Sequence, residues 1–310
     1  MRAFVFPGQG AQSIGMGRDL AQAYPAARAV FDTVDEALGE KLSVLIWDGE
    51  AETLTLTANA QPALMAMSVA VTRALEAEGH AVTDAALVAG HSLGEYSALT
   101  AAGALDLADA ARLLRLRGQA MQAAVPVGEG AMAALLGLDH ATVVEVAAEA
   151  AAAAGQVCQA ANDNDPGQIV LSGHRGAVEK AVEIAKARGA KRALLLPVSA
   201  PFHCALMQPA AEAMAEALAG VTIRPPAVPL VANVRAEAVT DPEVIRALLV
   251  EQVTGAVRWR ESVQWMAAQG VTEYWEIGAG KALCGMIRRI DKAATCRAIA
   301  TPADIAALKG

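Results

Sequence analysis

The stretch VAGHSLGEY, residues 88 to 96, sets Ser92 between His91 and Leu93, with Gly90 and Gly94 two positions away on either side. The apolar run AALVAG before the serine reads as a short strand, and LGEYSALTAAGAL behind it reads as a helix. A G-x-S-x-G pattern in that context is a sharp turn that lifts a serine hydroxyl to the end of a sheet as a nucleophile. Glycines on both sides let the chain turn without Cβ clashes. The helix behind points its first amides and the positive end of its dipole at negative charge developing in front of them. The chemistry implied is acyl uptake by Ser92, with the acyl group then passing either to water or to a second acceptor.

A serine hydroxyl needs a base, and five histidines are available: His80, His91, His140, His174 and His203. His91 adjoins the serine, and neighbours at such a turn point in different directions. His80 follows a helix, while His140 and His174 fall at element ends, where surface roles are ordinary. His203, in VSAPFHCALM, sits on a loop between a strand and a helix, where catalytic groups gather. The residues alone leave it open between base and structural histidine. No Asp or Glu between Ser92 and His203 stands out as the orienting acid of a hydrolase triad, although a carbonyl can do the same positional work. Arg117, in LRLRGQAMQ, precedes Gly118 on the second helix after the turn. Buried there, it would want a carboxylate, which a guanidinium holds with two parallel hydrogen bonds. Its alternative is a solvated place on the helix surface beside Arg112 and Arg115.

The elements that must position these groups alternate between strand and helix. AFVF reads as a first buried strand ending at the turn PGQG, helical periodicity covers much of 16–38, and QPALMAMSVAVTRALEAEG is helical with Pro62 in its first turn. Such alternation implies an α/β fold built on a largely parallel sheet covered on both faces. From about residue 128 to 197 the order changes to strand, helix, strand, strand, helix, strand, the ferredoxin-like βαββαβ unit. That segment reads as a small inserted domain, with 1–127 and 198–310 forming the large one. The larger pattern then resumes with a helix from Cys204, the strand VPLVANV, the strand VTEYWEIG and the helix KALCGMIRRI.

Composition narrows the functional classes. The 310 residues are 55% hydrophobic and 19% charged, enough for a sizeable core. A net charge of −8 argues against a nucleic-acid partner. Two basic clusters, Lys186 to Arg192 and Arg288 to Lys292, run against that average and suit either solvated helix ends or docking of an acidic protein. No run approaches a membrane span, and MRAFVFPGQG is too short for a signal-peptide core. The scattered Cys158, Cys204, Cys284 and Cys296 show no metal-ligand spacing and are expected as free thiols in the cytoplasm. GQGAQS has Ser13 where a dinucleotide fingerprint needs glycine, and GAGKAL has Trp275 and Ala282 at the fixed positions of a phosphate loop.

Taken together, FPGQGAQ, NAQPAL, GHSLGEYSAL, LRLRGQAMQ, NDNDPGQIVLSG, PFHCALM and EQVTGAVRW resemble, in order and spacing, the malonyl-CoA:acyl carrier protein transacylase family over nearly the whole chain. The resemblance implies an α/β-hydrolase-like domain carrying the ferredoxin-like insert. It implies Ser92 as nucleophile and His203 as base and then acid. Backbone N–H groups of Gln9 and Leu93 would serve the oxyanion, and Arg117 would clamp the malonyl carboxylate. Gln61 would line the pocket, as would Asn162 or Asn164, between which the sequence does not choose. The Gln252 carbonyl would orient His203 in place of the missing acid. Phe202 would crowd an α-methyl group on the acyl chain. The partners implied are malonyl-CoA and an acidic holo acyl carrier protein, with no metal or cofactor and a monomeric enzyme supplying fatty-acid synthesis. Two other readings share these residues: a serine thioesterase or esterase that releases the acid to water, and a carrier-binding subunit without catalysis.

Overall fold

Ten strands, β1 (Arg2–Phe6), β2 (Leu87–Gly90), β3 (Gly130–Leu136), β4 (Cys158–Asp165), β5 (Gln168–His174), β6 (Arg192–Leu195), β7 (Leu230–Ala232), β8 (Glu237–Val239), β9 (Glu273–Ile277) and β10 (Thr295–Ile299), are distributed over two sheets. The structure is a computed structural model that describes every residue except Ser199 and Gly310.

The larger sheet has the order β10-β9-β1-β2-β7-β8. Its pairs are parallel except β7 with β8, a hairpin that makes the sheet mixed. Neither β8 nor β10 was foreseen. EAV is three residues long, and TCRAI alternates weakly behind a basic helix, so neither carries the continuous apolar signature of a buried strand. In β1 the side chains divide between two cores, as the period of a strand dictates. Phe4 and Phe6 pack with one cluster and Ala3 and Val5 with the other, so both faces are covered. The register pairs Phe6 with Gly90, so the turns after β1 and β2 emerge side by side at the carboxyl edge.

Two local readings change. The 16–38 periodicity resolves into helices Arg18–Ala23 and Pro25–Leu38, the second opened by its proline. Pro62 lies inside the helix Thr57–Ala77, not in its first turn. Proline has no N–H to give the carbonyl of Ala58, and Arg115 Nη1 donates to that oxygen at 2.8 Å instead. Arg115 is therefore a helix-mending residue, not a solvated one.

The second sheet is antiparallel, with the order β4-β5-β3-β6. Helices His140–Ala154 and Arg175–Ala187 cover one of its faces with small residues such as Ala147, Ala150, Ala177 and Ala181. The other face, with Met132, Ala134, Ala161 and Val170, meets Phe202. β4 is stitched to the rest of the chain: Asp163 N–H donates to Val257 C=O at 2.9 Å, and the Asp163 and Asp165 carboxylates pair with Arg260 at 2.7 Å and Arg289 at 2.8 Å.

The expectation of four free thiols is corrected. Cys284 and Cys296 form a disulfide between the helix Ala282–Ile290 and β10, with Cα atoms 5.3 Å apart, whereas Cys158 and Cys204 are free and buried. The two cysteines stand twelve positions apart, and the chain folds them together by placing the helix across its neighbouring strand. The same fold brings Glu276 beside them, a Cys–Cys–Glu grouping that sequence spacing did not reveal. Among the described residues no helix is long and apolar enough to cross a membrane.

Candidate active site

Ser92 adopts φ 54°, the left-handed conformation that a strand-to-helix turn of this tightness demands. The flanking glycines are required by contact. A Cβ on Gly90 would lie 1.9 Å from the Gly94 carbonyl, and one on Gly94 would lie 2.3 Å from Phe6 O. The conformation is held from behind by Asn233, whose Oδ1 accepts from Ser92 N–H at 2.8 Å while its Nδ2 donates to Gly90 O at 2.6 Å.

The Ser92 Oγ lies 2.7 Å from His203 Nε2. On the far side of the ring, Nδ1 faces the Gln252 carbonyl at 2.8 Å and that of Gly255 at 3.2 Å. Carbonyls only accept, so Nδ1 carries the proton and the Nε2 lone pair is left for the serine. Burial, reinforced by the Arg117 charge, pushes the His203 pKa down to about 3, and the imidazole is neutral. No acid is needed to orient this histidine.

Arg117 is 1% exposed and reaches the same oxygen: Nη2 donates to Ser92 Oγ at 3.2 Å and to Gln252 Oε1 at 2.8 Å, and Nη1 to Gln61 Oε1 at 2.8 Å. Its helix, Leu107–Ala123, comes close enough because Gly118 lies against Ala58, where a Cβ would approach that Cα to 2.5 Å. None of its hydrogen-bond partners among the described residues is a carboxylate, and Nε has no partner. A buried guanidinium held only by neutral groups is a receptor for an anion. Gln61 is tied in turn to Thr57 at 2.9 Å, and Thr57 donates to Gln9 Oε1 at 2.9 Å, so one chain of hydrogen bonds runs from the first turn to the guanidinium.

A cleft of about 490 Å³ lies over these groups, lined by Gln9, Gln61, Ser92, Leu93, Arg117 and His203 on one side and by Met132, Asn162, Asn164 and Val170 on the other. Leu93 N–H opens the helix Gly94–Ala101, and neither it nor Gln9 N–H has a protein acceptor among the described residues. Both asparagines line the cleft. Asn164 Oδ1 is 2.9 Å from His91 Nε2, and this contact turns His91 away from the serine. Phe202 also lines the cleft. The basic clusters lie elsewhere and are partly spent within the chain: Arg188 pairs with Glu145 and Glu149, and Arg289 with Asp165.

Sequence reasoning missed Asn233, Thr57, Gly255 and the buried Glu95. Asn233 offered a signal, a polar residue straight after an apolar strand of a parallel sheet. Glu95 did not, because an acid in the first turn of a helix is ordinary on its surface. Burial pushes the Glu95 carboxyl up to about 8, against the opposing pull of Gln252, Asn233 and Arg117.

The fold and this constellation are those of an acyl transferase, and the family model described as "Acyl transferase domain" matches residues 3–292. Within that family the chain belongs with the malonyl CoA-acyl carrier protein transacylases: it is 49% identical over 305 residues to the protein so named from Escherichia coli (strain K12), covering 98% of this chain and 97% of that one. The crystal structure of acyl-carrier-protein-S-malonyltransferase from Bartonella henselae is similar with a TM-score of 0.96 at 58% identity, over 99% of this chain and 98% of the other. A malonyl-transacylase in complex with its type II PKS acyl-carrier protein is similar with a TM-score of 0.95 at 44% identity, over 98% and 97% of the two chains.

Proposed function

We propose that this enzyme moves a malonyl group from malonyl-CoA to the phosphopantetheine thiol of holo acyl carrier protein, supplying fatty-acid synthesis. Ser92 Oγ attacks the thioester carbon while His203 Nε2 takes its proton. The oxyanion is met by the Gln9 and Leu93 N–H groups, and the imidazolium protonates the departing CoA sulfur as the C–S bond breaks. The carrier thiol then attacks the malonyl ester, giving its proton to His203, which returns it to Ser92. Thioester to ester to thioester is near isoenergetic, so the cycle balances without metal or cofactor.

The observation that carries this reading is Arg117, a buried guanidinium with no carboxylate partner among the described residues, reaching to within 3.2 Å of Ser92 Oγ. A malonyl carboxylate would complete it, and acetyl-CoA would leave it incomplete. Gln61 and Gln252 hold the guanidinium; Asn162 and Asn164 serve the rest of the substrate; Phe202 crowds an α-methyl branch. The apolar roof of Met132, Ala134 and Val170 favours transfer over hydrolysis by keeping water from the ester.

The strand order β4-β5-β3-β6 with two helices on one face supports a ferredoxin-like insert at 128–197, and the serine turn supports an α/β-hydrolase-like domain formed by 1–127 and 198–310. The enzyme works in the cytoplasm as a monomer, which sedimentation would check. For the carrier, the exposed Lys191 and Arg192, or Arg288 with Lys292, form the docking charge. Reversing the charge of the right pair raises KM for the carrier and not for malonyl-CoA.

The test is intact mass after mixing with malonyl-CoA, followed by buffer or holo carrier protein. Transfer requires a malonyl adduct on Ser92 that persists in buffer and moves to the carrier. An adduct lost equally fast in buffer would make the enzyme a thioesterase.

A further inference from the structure

The Gln252 side chain holds three groups of the site at once. Its Oε1 accepts from Arg117, and its Nε2 donates to Ser92 C=O at 3.0 Å and to Glu95 Oε2. The two ends of a carboxamide have nearly the same shape, so sterics alone do not decide which end faces the guanidinium. Chemistry decides it: the Arg117 donor and the Ser92 carbonyl favour one orientation, and Glu95 reinforces it. Glu95 is 1% exposed, one residue into the helix behind the serine, and does not line the cleft. Its other oxygen lies 3.4 Å from Asn233 N–H, in the residue that holds Ser92 N–H. Both contacts call on Glu95 as an acceptor, and these two donors with the Arg117 charge pull toward its ionised form against the burial that pushes the carboxyl up to about 8. Turned over, the Gln252 amide would set Oε1 against the carboxylate and the Ser92 carbonyl, and NH₂ against the Arg117 NH₂.

We propose that Glu95 is a positioning residue that fixes the orientation of the Gln252 amide, and through it aligns Arg117 for the carboxylate of the acyl donor. The inference rests on the reading of Arg117 given above. Glu95 touches neither substrate nor reacting atoms; it acts on selectivity through Gln252.

In Glu95→Gln the shape is kept, but the new amide can also donate, so only Arg117 and the Ser92 carbonyl still oppose the turned-over Gln252. The experiment compares single-turnover acylation of Ser92 by malonyl-CoA and by acetyl-CoA, read by intact mass in the full-length enzyme. Glu95→Gln lowers the malonyl rate about tenfold and leaves the acetyl rate within about twofold. Added to Arg117→Ala, it changes the malonyl rate no further. Glu95→Asp, which keeps a carboxyl group, retains more of the malonyl preference than Glu95→Gln, and it provides the comparison with wild type should the latter not fold. Equal losses for both donors, in either variant, would mean that Glu95 only supports the turn and would overturn the proposal. So would an unchanged malonyl-to-acetyl ratio in Glu95→Gln. An unchanged ratio in Arg117→Ala would instead remove the reading of Arg117 on which the proposal stands.

Discussion

Two strands of the large sheet end in the same way and are used in opposite ways. β2 and β9 flank β1, each runs into a tight glycine-bearing turn, and each turn starts a helix whose first residues border the same cleft. After β2 comes Gly94–Ala101 with Ser92 and Leu93 at its head; after β9 comes Ala282–Ile290 with Gly278 and Gly280 in its turn. At the first, the leading amide borders the cleft and has no protein acceptor among the described residues. At the second, the strand supplies its own anion: Glu276 accepts from Leu283 N–H at 3.0 Å and Cys284 N–H at 2.7 Å. One helix terminus is thus left open at the cleft, and the other is satisfied by the fold. Strand–turn–helix topology supplies the opportunity, and a single carboxylate decides whether it becomes a site or a joint.

Emptying the active turn should cost the most. Ser92→Ala is expected to lose the malonyl adduct and at least about 10⁴-fold in kcat/KM with an unchanged melting temperature, because it removes the nucleophile and no packing. Next comes Arg117→Ala. Losing charged hydrogen bonds to the substrate costs about 1.5–3 kcal/mol, so malonyl-CoA acylation should fall roughly 10- to 150-fold while acetyl-CoA acylation holds or rises. A parallel fall for both donors would assign Arg117 to the shape of the site and not to recognition.

At the structural turn the same kind of change should reverse its readout. Reducing the Cys284–Cys296 bond releases a short loop, worth about 2–3 kcal/mol in chain entropy, and should lower the melting temperature by several degrees. Glu276→Gln keeps the shape but offers one acceptor where two amides need two, a cost of about 1–2 kcal/mol. Neither change is expected to move kcat/KM by more than about threefold. If Glu276→Gln damages acylation as much as stability, the second turn is part of the site and the contrast fails.

How far the sequence spoke follows from the kind of interaction involved. The serine turn was legible because Gly90 answers to a contact with Gly94, four residues on, which spacing records. The histidine was legible only as a candidate, since its partner Gln252 stands 49 positions away and acts through a main-chain carbonyl, which any residue could provide. Arg117 was legible as a charge needing a partner, but its burial depends on Gly118 meeting Ala58 across two helices. Glu95 and the Cys284–Cys296 pair were hidden because their roles arise from elements brought together by crossovers, which no local pattern records, whereas Asn233 showed only as a polar residue after an apolar strand.

The smallest expected effect is an absence of change. In the unfolded chain a histidine titrates near 6.5, and burial together with the neighbouring Arg117 holds His203 far lower, at about 3. A base with a depressed folded pKa contributes stability that is whole above 6.5 and is lost as the pH falls toward 3. It also remains a neutral base across that interval. The kcat/KM for acylation by malonyl-CoA should therefore stay within about twofold from pH 7 to 5.5, whereas an ordinary imidazole of pKa 6.5 would lose roughly eightfold. In Arg117→Ala, with one of the two depressing influences removed, the acid limb for acetyl-CoA should move toward neutrality. A wild-type limb already near 6.5 would show that His203 is solvated before substrate binds, and that the closed, neutral geometry of the active turn forms only with the acyl group in place.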